Sequence, residues 1–247
     1  MSHQTRAILT GHTRGLGAAL AELLLAQGID VLAISRQRNG ELAARHPGKL
    51  HEIELDLADL PTLTEWLAGD ALSRFVAGAE RVLLINNAGM LAPVGSLATQ
   101  DPGTVARAVS LNVAAPMTLA AAVVQASQQA ADTRIVHISS GAARSAYPGW
   151  SVYCATKAAL DHHARAVALD GHRALRIASV APGVVDTDMQ AEIRDTDPER
   201  FPMRERFEAL KRDGQLSTPE ESARKVIEHL LSDAFGEMPT VDVRDLK

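Results

Sequence analysis

Short apolar runs recur along this chain with longer amphipathic stretches between them, and that alternation constrains the fold more than any other feature. Ala7-Ile8-Leu9, Val31-Leu32-Ala33-Ile34, Ile53-Glu54-Leu55 and Val82-Leu83-Leu84-Ile85 read as strands, as do Ile135-Val136-His137-Ile138 and Arg176-Ile177-Ala178-Ser179-Val180. Residues 15–27, 60–75, 104–131, 151–170 and 219–231 read as the intervening helices. Strands apolar along both faces and separated by helices must be covered on both sides, which predicts a parallel sheet between two helical layers. Right-handed crossovers then give a doubly wound α/β fold. The 247 residues fit one such domain, 1–247, and no proline- or serine-rich linker or fixed-period repeat divides them.

Composition excludes several classes. At 46% hydrophobic and 22% charged residues the chain is of ordinary globular composition, so disorder and collagen-like repeats are ruled out. One cysteine, Cys154, leaves no intramolecular disulfide and no two- or four-cysteine zinc motif, and no metal is expected. A net charge of −5 provides no electrostatic footprint for nucleic acid. The longest weakly polar stretch, 113–124, is too short for a bilayer and contains Pro116. Met1-Ser2-His3-Gln4-Thr5-Arg6 leads into the first strand without a long apolar region or cleavage site. A cytoplasmic protein acting away from membranes is the expectation.

One segment breaks the pattern. Residues 186–214 are densely charged and punctuated by Pro198 and Pro202. The segment follows the C-terminal end of a predicted strand, where α/β folds bind ligands, so it reads as a mobile lid over a substrate pocket rather than a solvated excursion.

Thr10-Gly11-His12-Thr13-Arg14-Gly15-Leu16-Gly17 joins the first strand to the first helix. Gly11 permits a tight turn, Gly15 lets the backbone approach a pyrophosphate, and Gly17 lets helix pack on strand. The helix start after Gly15, with Leu16 in its first turn, offers N–H groups to an anion. A plain tight βα turn has the same glycines, and placement at the strand–helix junction favours the dinucleotide. The second strand ends Ile34-Ser35-Arg36, with no acid to accept from an adenosine 2′-hydroxyl. Either Arg14 or Arg36 alone would pass for a solvated charge; together at this edge they suit a 2′-phosphate and point to NADP(H).

Tyr153 and Lys157 stand four residues apart on a predicted helix and so share a face. With two tyrosines in the chain, this spacing arises by chance with a probability of roughly 0.04. An ammonium beside a phenol lowers its pKa from about 10, toward the range where general acid–base catalysis is efficient. The bland alternative is a half-buried tyrosine beside a surface lysine. Ser140 closes the preceding strand, where its hydroxyl reaches either a carbonyl oxygen of a substrate or the local backbone. No Gly-x-Ser-x-Gly elbow is present, which disfavours nucleophilic hydrolysis. His162-His163 read as solvated helix residues, His12 carries no assigned chemistry, and Cys154 reads as a small packing residue. Tyr147, Trp150, Met90 and Leu91 stand near the presumed mouth, as pocket lining or core.

These motifs, in this order and over nearly the whole length, resemble the short-chain dehydrogenase/reductase family, with its Rossmann-like fold. Residues 10–17 match TGxxxGxG, and Asn86-Asn87-Ala88-Gly89 matches NNAG. Ser140, Tyr153 and Lys157 keep the family's spacing, and Pro182-Gly183-Val184-Val185-Asp186-Thr187-Asp188-Met189 fits PGxVxTxM. The resemblance implies that Asp56 and Leu57 meet the adenine, that Asn87, Ala88 and Gly89 line the adenosine ribose, and that Val185 and Thr187 hold the carboxamide. It also implies that Asn112 holds a water against the lysine and that two or four copies assemble through the helices of Asn112 and Tyr153. Thr156 departs from the usual serine. The tail Val241-Asp242-Val243-Arg244-Asp245-Leu246 is similar to the sepiapterin and benzil reductase branch. The implied function is hydride transfer between NADPH and a small ketone or aldehyde; alternatives are a 3-oxoacyl-thioester reductase, a non-catalytic NADP(H) sensor and a sugar epimerase. A sensor has no need of a proton donor, and the chain leaves little room for an epimerase's separate substrate domain.

Overall fold

The computed structural model describes residues 4–246; Met1-Ser2-His3, read above as part of the approach to the first strand, lie outside them. Seven strands form one parallel sheet in the order β3-β2-β1-β4-β5-β6-β7. They are β1 Thr5–Thr10, β2 Asp30–Ser35, β3 Leu50–Glu54, β4 Arg81–Asn86, β5 Asp132–Ile138, β6 Leu175–Ala181 and β7 Thr240–Asp242. The chain winds outward from β1 to β3, then crosses back to lay β4 on the other side of β1. That reversal parts the chain at the C-terminal ends of β1 and β4, the edge where doubly wound folds bind ligands.

Alternation within each strand divides the core into two layers. Ala7 and Leu9 of β1 and Leu83 and Ile85 of β4 pack with Leu20 and Leu24 of α1 (Gly15–Ala26) and Ile227 and Leu230 of α10 (Pro219–Leu231). Ile8, Val82 and Leu84 face the other way. They pack against Leu63 of α3 (Leu60–Ala68), Leu72 of α4 (Ala71–Val76) and Leu119 and Val123 of α6 (Ala115–Ala126). Period-2 side chains on strands apolar throughout produce this two-sided burial.

The predicted doubly wound fold is therefore the observed one, with local corrections. The helix expected over 60–75 is two helices, broken where Gly69 takes an extended conformation. The helix expected over 104–131 begins at α5 (Pro102–Val109), capped by the Asp101 carboxylate accepting from Thr104 N–H at 2.7 Å. It passes through a π-helical turn, Ser110–Ala114, into α6, and stops at Ala126. Joined, Pro102–Ala126 is long and apolar enough to cross a bilayer, which the 113–124 stretch alone is not; Ala115, Leu119 and Val123 pack it onto the sheet as a core helix. Short α2 (Gly40–Arg45) and β7 escaped the sequence reading because six and three residues carry too little periodicity. Residues 186–214 are not an irregular loop: they contain α8 (Asp188–Asp195) and α9 (Arg204–Arg212).

Far from the ligand edge, Asp132 gathers three arginines, Arg81 at 2.8 Å, Arg134 at 2.9 Å and Arg176 at 2.8 Å. Arg134 is fully buried and donates to the carbonyls of Leu230 at 2.6 Å and Ser232 at 2.8 Å, closing the end of α10. Arg134→Ala leaves those acceptors unmet and a cavity behind, so urea unfolding should show a loss of about 3 kcal/mol. A loss under about 1 kcal/mol would show that water replaces the guanidinium.

Candidate active site

The Thr10 hydroxyl, at the end of β1, accepts from the N–H groups of Asn87 and Ala88, both at 2.9 Å. Asn87 Nδ2 donates in turn to the carbonyls of Thr10 and Gly11, each at 3.0 Å. This lattice joins the glycine turn to the segment after β4. Gly11 and Gly15 have φ of +72° and +52°, and a Cβ at Gly17 would lie 1.9 Å from the Gly11 carbonyl oxygen. The turn therefore requires its glycines sterically. Leu16 buries its side chain in the core, and α1 starts with neither a side-chain cap nor an acidic residue in its first turn. A helix start with no side-chain cap and no acid in its first turn suits an anion, so these residues fit a dinucleotide pyrophosphate.

Around this turn the predicted binding residues converge, with partners the sequence did not disclose. Thr187 lies over the turn, its Cγ2 3.2 Å from where a Gly15 Cβ would stand. Val185 is buried and bridges to Ser217. Arg14 pairs at 2.9 Å with Asp188 of α8, both largely exposed. Arg36 is exposed and adds its field to that of Asp56. Burial pushes the Asp56 carboxyl up, but Arg107 at 2.7 Å, the Ala58 N–H and Arg36 outweigh it and hold Asp56 below the usual carboxylate range. Ser35 is buried and donates to the Gln37 carbonyl at 2.5 Å, while Leu57 faces the core. His12, left without a role above, is fully buried, with Nε2 2.6 Å from Glu52 Oε1 and Nδ1 3.3 Å from Ser35 Oγ.

The residues expected to handle the proton meet near the ends of β4 and β5. Tyr153 and Lys157 lie on one face of α7 (Ser151–Leu169), both buried, with Lys157 Nζ 5.8 Å from the centre of the phenol ring. The Ser140 hydroxyl accepts from Ala142 N–H at 3.2 Å, the local backbone use read from the sequence, and lies close enough to the Tyr153 phenol to favour its ionised form. Asn112 sits on the π-helical turn, a distortion common at functional sites. Its Oδ1 accepts from Met90 N–H at 2.9 Å, and its Nδ2 donates to the Met90 carbonyl at 2.8 Å and to Thr156 Oγ1 at 3.2 Å. A Cβ at Gly89 would fall 3.3 Å from Asn112 Oδ1 and 3.6 Å from Lys157 Nζ, which places Gly89 between them.

One expectation is corrected. The net shift of Tyr153 runs opposite to the expected one: burial pushes the phenol up to about 12, against the neighbouring Ser140 hydroxyl. The ammonium is engaged with the Ile138 carbonyl at 2.8 Å, and burial brings it down to about 8 despite Asp161. His163 is likewise not simply solvated. Its Nδ1 lies 3.1 Å from Nε2 of buried His137, which burial and the neighbouring His163 and Lys157 hold down to about 3.

Beside the tyrosine, residues 186–214 close over an aromatic cluster. Trp150 stacks on Phe201 at 4.5 Å with planes 4° apart, and meets Tyr153 edge-on at 5.6 Å. Tyr147 and Phe207 complete the cluster, Leu91 and Ile193 join it from the core, and Met189 and Met203 pack on its flank. Tyr147, Trp150 and Leu91 thus gather beside Tyr153 in a buried cluster that Met90 does not join, whereas Phe201 and Phe207 escaped notice inside a charged segment.

The family model for short chain dehydrogenases matches residues 5–198. A benzil reductase ((S)-benzoin forming) from Bacillus cereus is 35% identical over 95% of this chain and 98% of its own length. A sepiapterin reductase from Meriones unguiculatus is 35% identical over 96% of this chain and 95% of its own. The crystal structure of a short-chain dehydrogenase/reductase from Burkholderia vietnamiensis is 56% identical, covers 100% of both chains and superposes with a TM-score of 0.71. With its glycine turn at the end of β1, its serine just after β5 and its tyrosine and lysine on α7, this chain belongs to the short-chain dehydrogenase/reductase family of oxidoreductases, enzymes that act on small molecules with a nicotinamide cofactor.

Proposed function

We propose that this protein is an NADPH-dependent carbonyl reductase acting on small ketones or aldehydes, with 1,2-diketones and the side-chain ketone of a pteridine-like ring favoured. The observation that carries the reading is the gathering of Ser140 and Lys157 around the Tyr153 phenol, with Lys157 Nζ 5.8 Å from the ring centre. The similarity to benzil and sepiapterin reductases supports the substrate class, and the aromatic cluster around Trp150 suits a flat, apolar carbonyl compound.

The bound dinucleotide supplies the hydride. Ser140 donates a hydrogen bond to the substrate oxygen and orients it, and Tyr153 gives up its proton as negative charge develops there. A phenol with a pKa near 12 holds its proton until that charge appears. Lys157 provides the positive charge that stabilises the resulting phenolate and binds the nicotinamide ribose. Asn112 supports a water through which the proton is replaced. Gly11, Gly15, Leu16, Gly17, Asp56, Leu57, Asn87, Ala88, Gly89, Val185 and Thr187 form the dinucleotide cradle. Ser35, Arg36 and Arg14 would hold the adenosine 2′-phosphate, the arginines supplying its counter-charge. The exposed pair of Arg14 with Asp188 is worth little at such exposure, so its guanidinium is free to turn to a phosphate.

The protein is proposed to work in the cytoplasm as a homodimer or homotetramer built through α5–α6 and α7, where Val109 and Leu169 are exposed.

Wild-type protein should consume NADPH with 1,2-diketones, and Tyr153→Phe should lower kcat by about a thousandfold while the dinucleotide Kd from calorimetry stays unchanged; a fully active Phe variant excludes this proton donor. Arg36→Asp should shift the ratio of NADPH to NADH affinities toward NADH by about tenfold or more. An unaltered ratio would remove Arg36 from 2′-phosphate recognition.

A further inference from the structure

Asp161 lies one turn after Lys157 on α7 and is 1% exposed. Its Oδ1 accepts from two hydroxyls, Ser139 at 2.6 Å and Ser179 at 2.7 Å, and both serines are buried. Among the described residues its Oδ2 meets only Arg144 Nε, at 3.3 Å, from a guanidinium over a third exposed. Arg144 in turn donates to the Val241 carbonyl at 3.0 Å and faces Asp242. One carboxylate therefore joins α7, the end of β5 next to Ser140, the middle of β6, the loop after Ser140 and β7.

A buried carboxylate is costly unless its charge is met, and a distant, partly solvated guanidinium meets it incompletely. The next cation inward is Lys157. The groups packed around Lys157 are the neutral phenol of Tyr153 on α7, neutral His137 on β5 and the amide of Asn112 on the π-helical turn. His163, on α7 beyond His137, is itself held toward its neutral form by burial. Asp161 is thus the anion that favours the charged form of the lysine, against its burial.

We propose that Asp161 is a positioning residue for the reaction, its carboxylate locking the Ser140 strand end against α7 and supplying the buried counter-charge for Lys157. This role rests on the reductase reading above. It separates into two actions, because Ser139→Ala removes the tie to Ser140 and leaves the charge, whereas Asp161→Asn keeps an acceptor for the hydroxyls and removes the charge.

The test is the pH profile of NADPH-dependent diketone reduction for wild type and both variants, with melting temperatures measured alongside. Wild-type kcat/KM should fall above about pH 8 as Lys157 loses its proton. In Asp161→Asn that limb should move down by about one unit, because the neutral side chain no longer favours the ammonium. Ser139→Ala should lower kcat by about tenfold with the limb in place. A folded Asp161→Asn protein with an unmoved limb overturns the counter-charge, and full kcat in Ser139→Ala overturns the positioning. If Asp161→Asn does not fold, Asp161→Ser replaces it in the limb measurement with the same expected and overturning results, and Ser139→Ala still decides the positioning. Tyr153→Phe assayed in parallel keeps the two readings apart: surviving activity there removes the catalytic assignment itself, whereas its loss beside unaffected Asp161 and Ser139 variants removes only the role of Asp161.

Discussion

The Thr10 hydroxyl, receiving two backbone N–H groups from the far side of the sheet's parting, is the interaction on which the ligand edge depends. At that edge the chain leaves β1 and β4 in divergent directions, and each departing segment has N–H and C=O groups without ladder partners. Thr10 and the Asn87 side chain satisfy four such groups at once. The turn they brace is so close-packed that no side chain fits at Gly17. A closely fixed backbone at the start of α1 follows from this bracing, and an uncapped helix start held in place suits an anion.

Burial sets the electrostatics of the second half of the site. Tyr153, Lys157 and His137 are all displaced toward their neutral forms, because each is enclosed by apolar side chains or backbone that solvate charge poorly. Such a site holds its protons until a reaction creates charge inside it. The carboxylate of Asp161 and the carbonyl of Ile138 are the counterweights that favour an ammonium at Lys157. The aromatic cluster under α8 and α9 extends the dry environment to the side where a carbonyl substrate would enter.

Local patterns carried much of this. Apolar runs with short turns gave the six long strands and the parallel class, because strands covered on both faces must be apolar throughout. The glycine turn, the NNAG segment and the spacing of Ser140, Tyr153 and Lys157 were legible because steric need and helix periodicity act over a few residues. Boundaries were less legible. The break at Gly69 and the π-helical turn under Asn112 arise from packing of the finished helix on the sheet, and α2 and β7 are too short to show a period. Residues 186–214 read as a loop because their charged outer face dominates the composition, while Phe201 and Phe207, which seat the segment on Trp150, are two residues among many.

By itself the sequence determined the class of fold and the identity of the residues gathered at one edge of the sheet. Only the tertiary structure decided how those residues are poised: a phenol raised to about 12 where proximity to a lysine predicted lowering, and an Asp56 already engaged by Arg107. It also decided that Asp161, unremarked along the chain, stands where five elements meet. The reason is physical. Hydrophobic periodicity and backbone sterics act between near neighbours and are written in order, whereas desolvation and buried charge depend on everything that surrounds a group, and that enclosure exists only once distant segments have packed together.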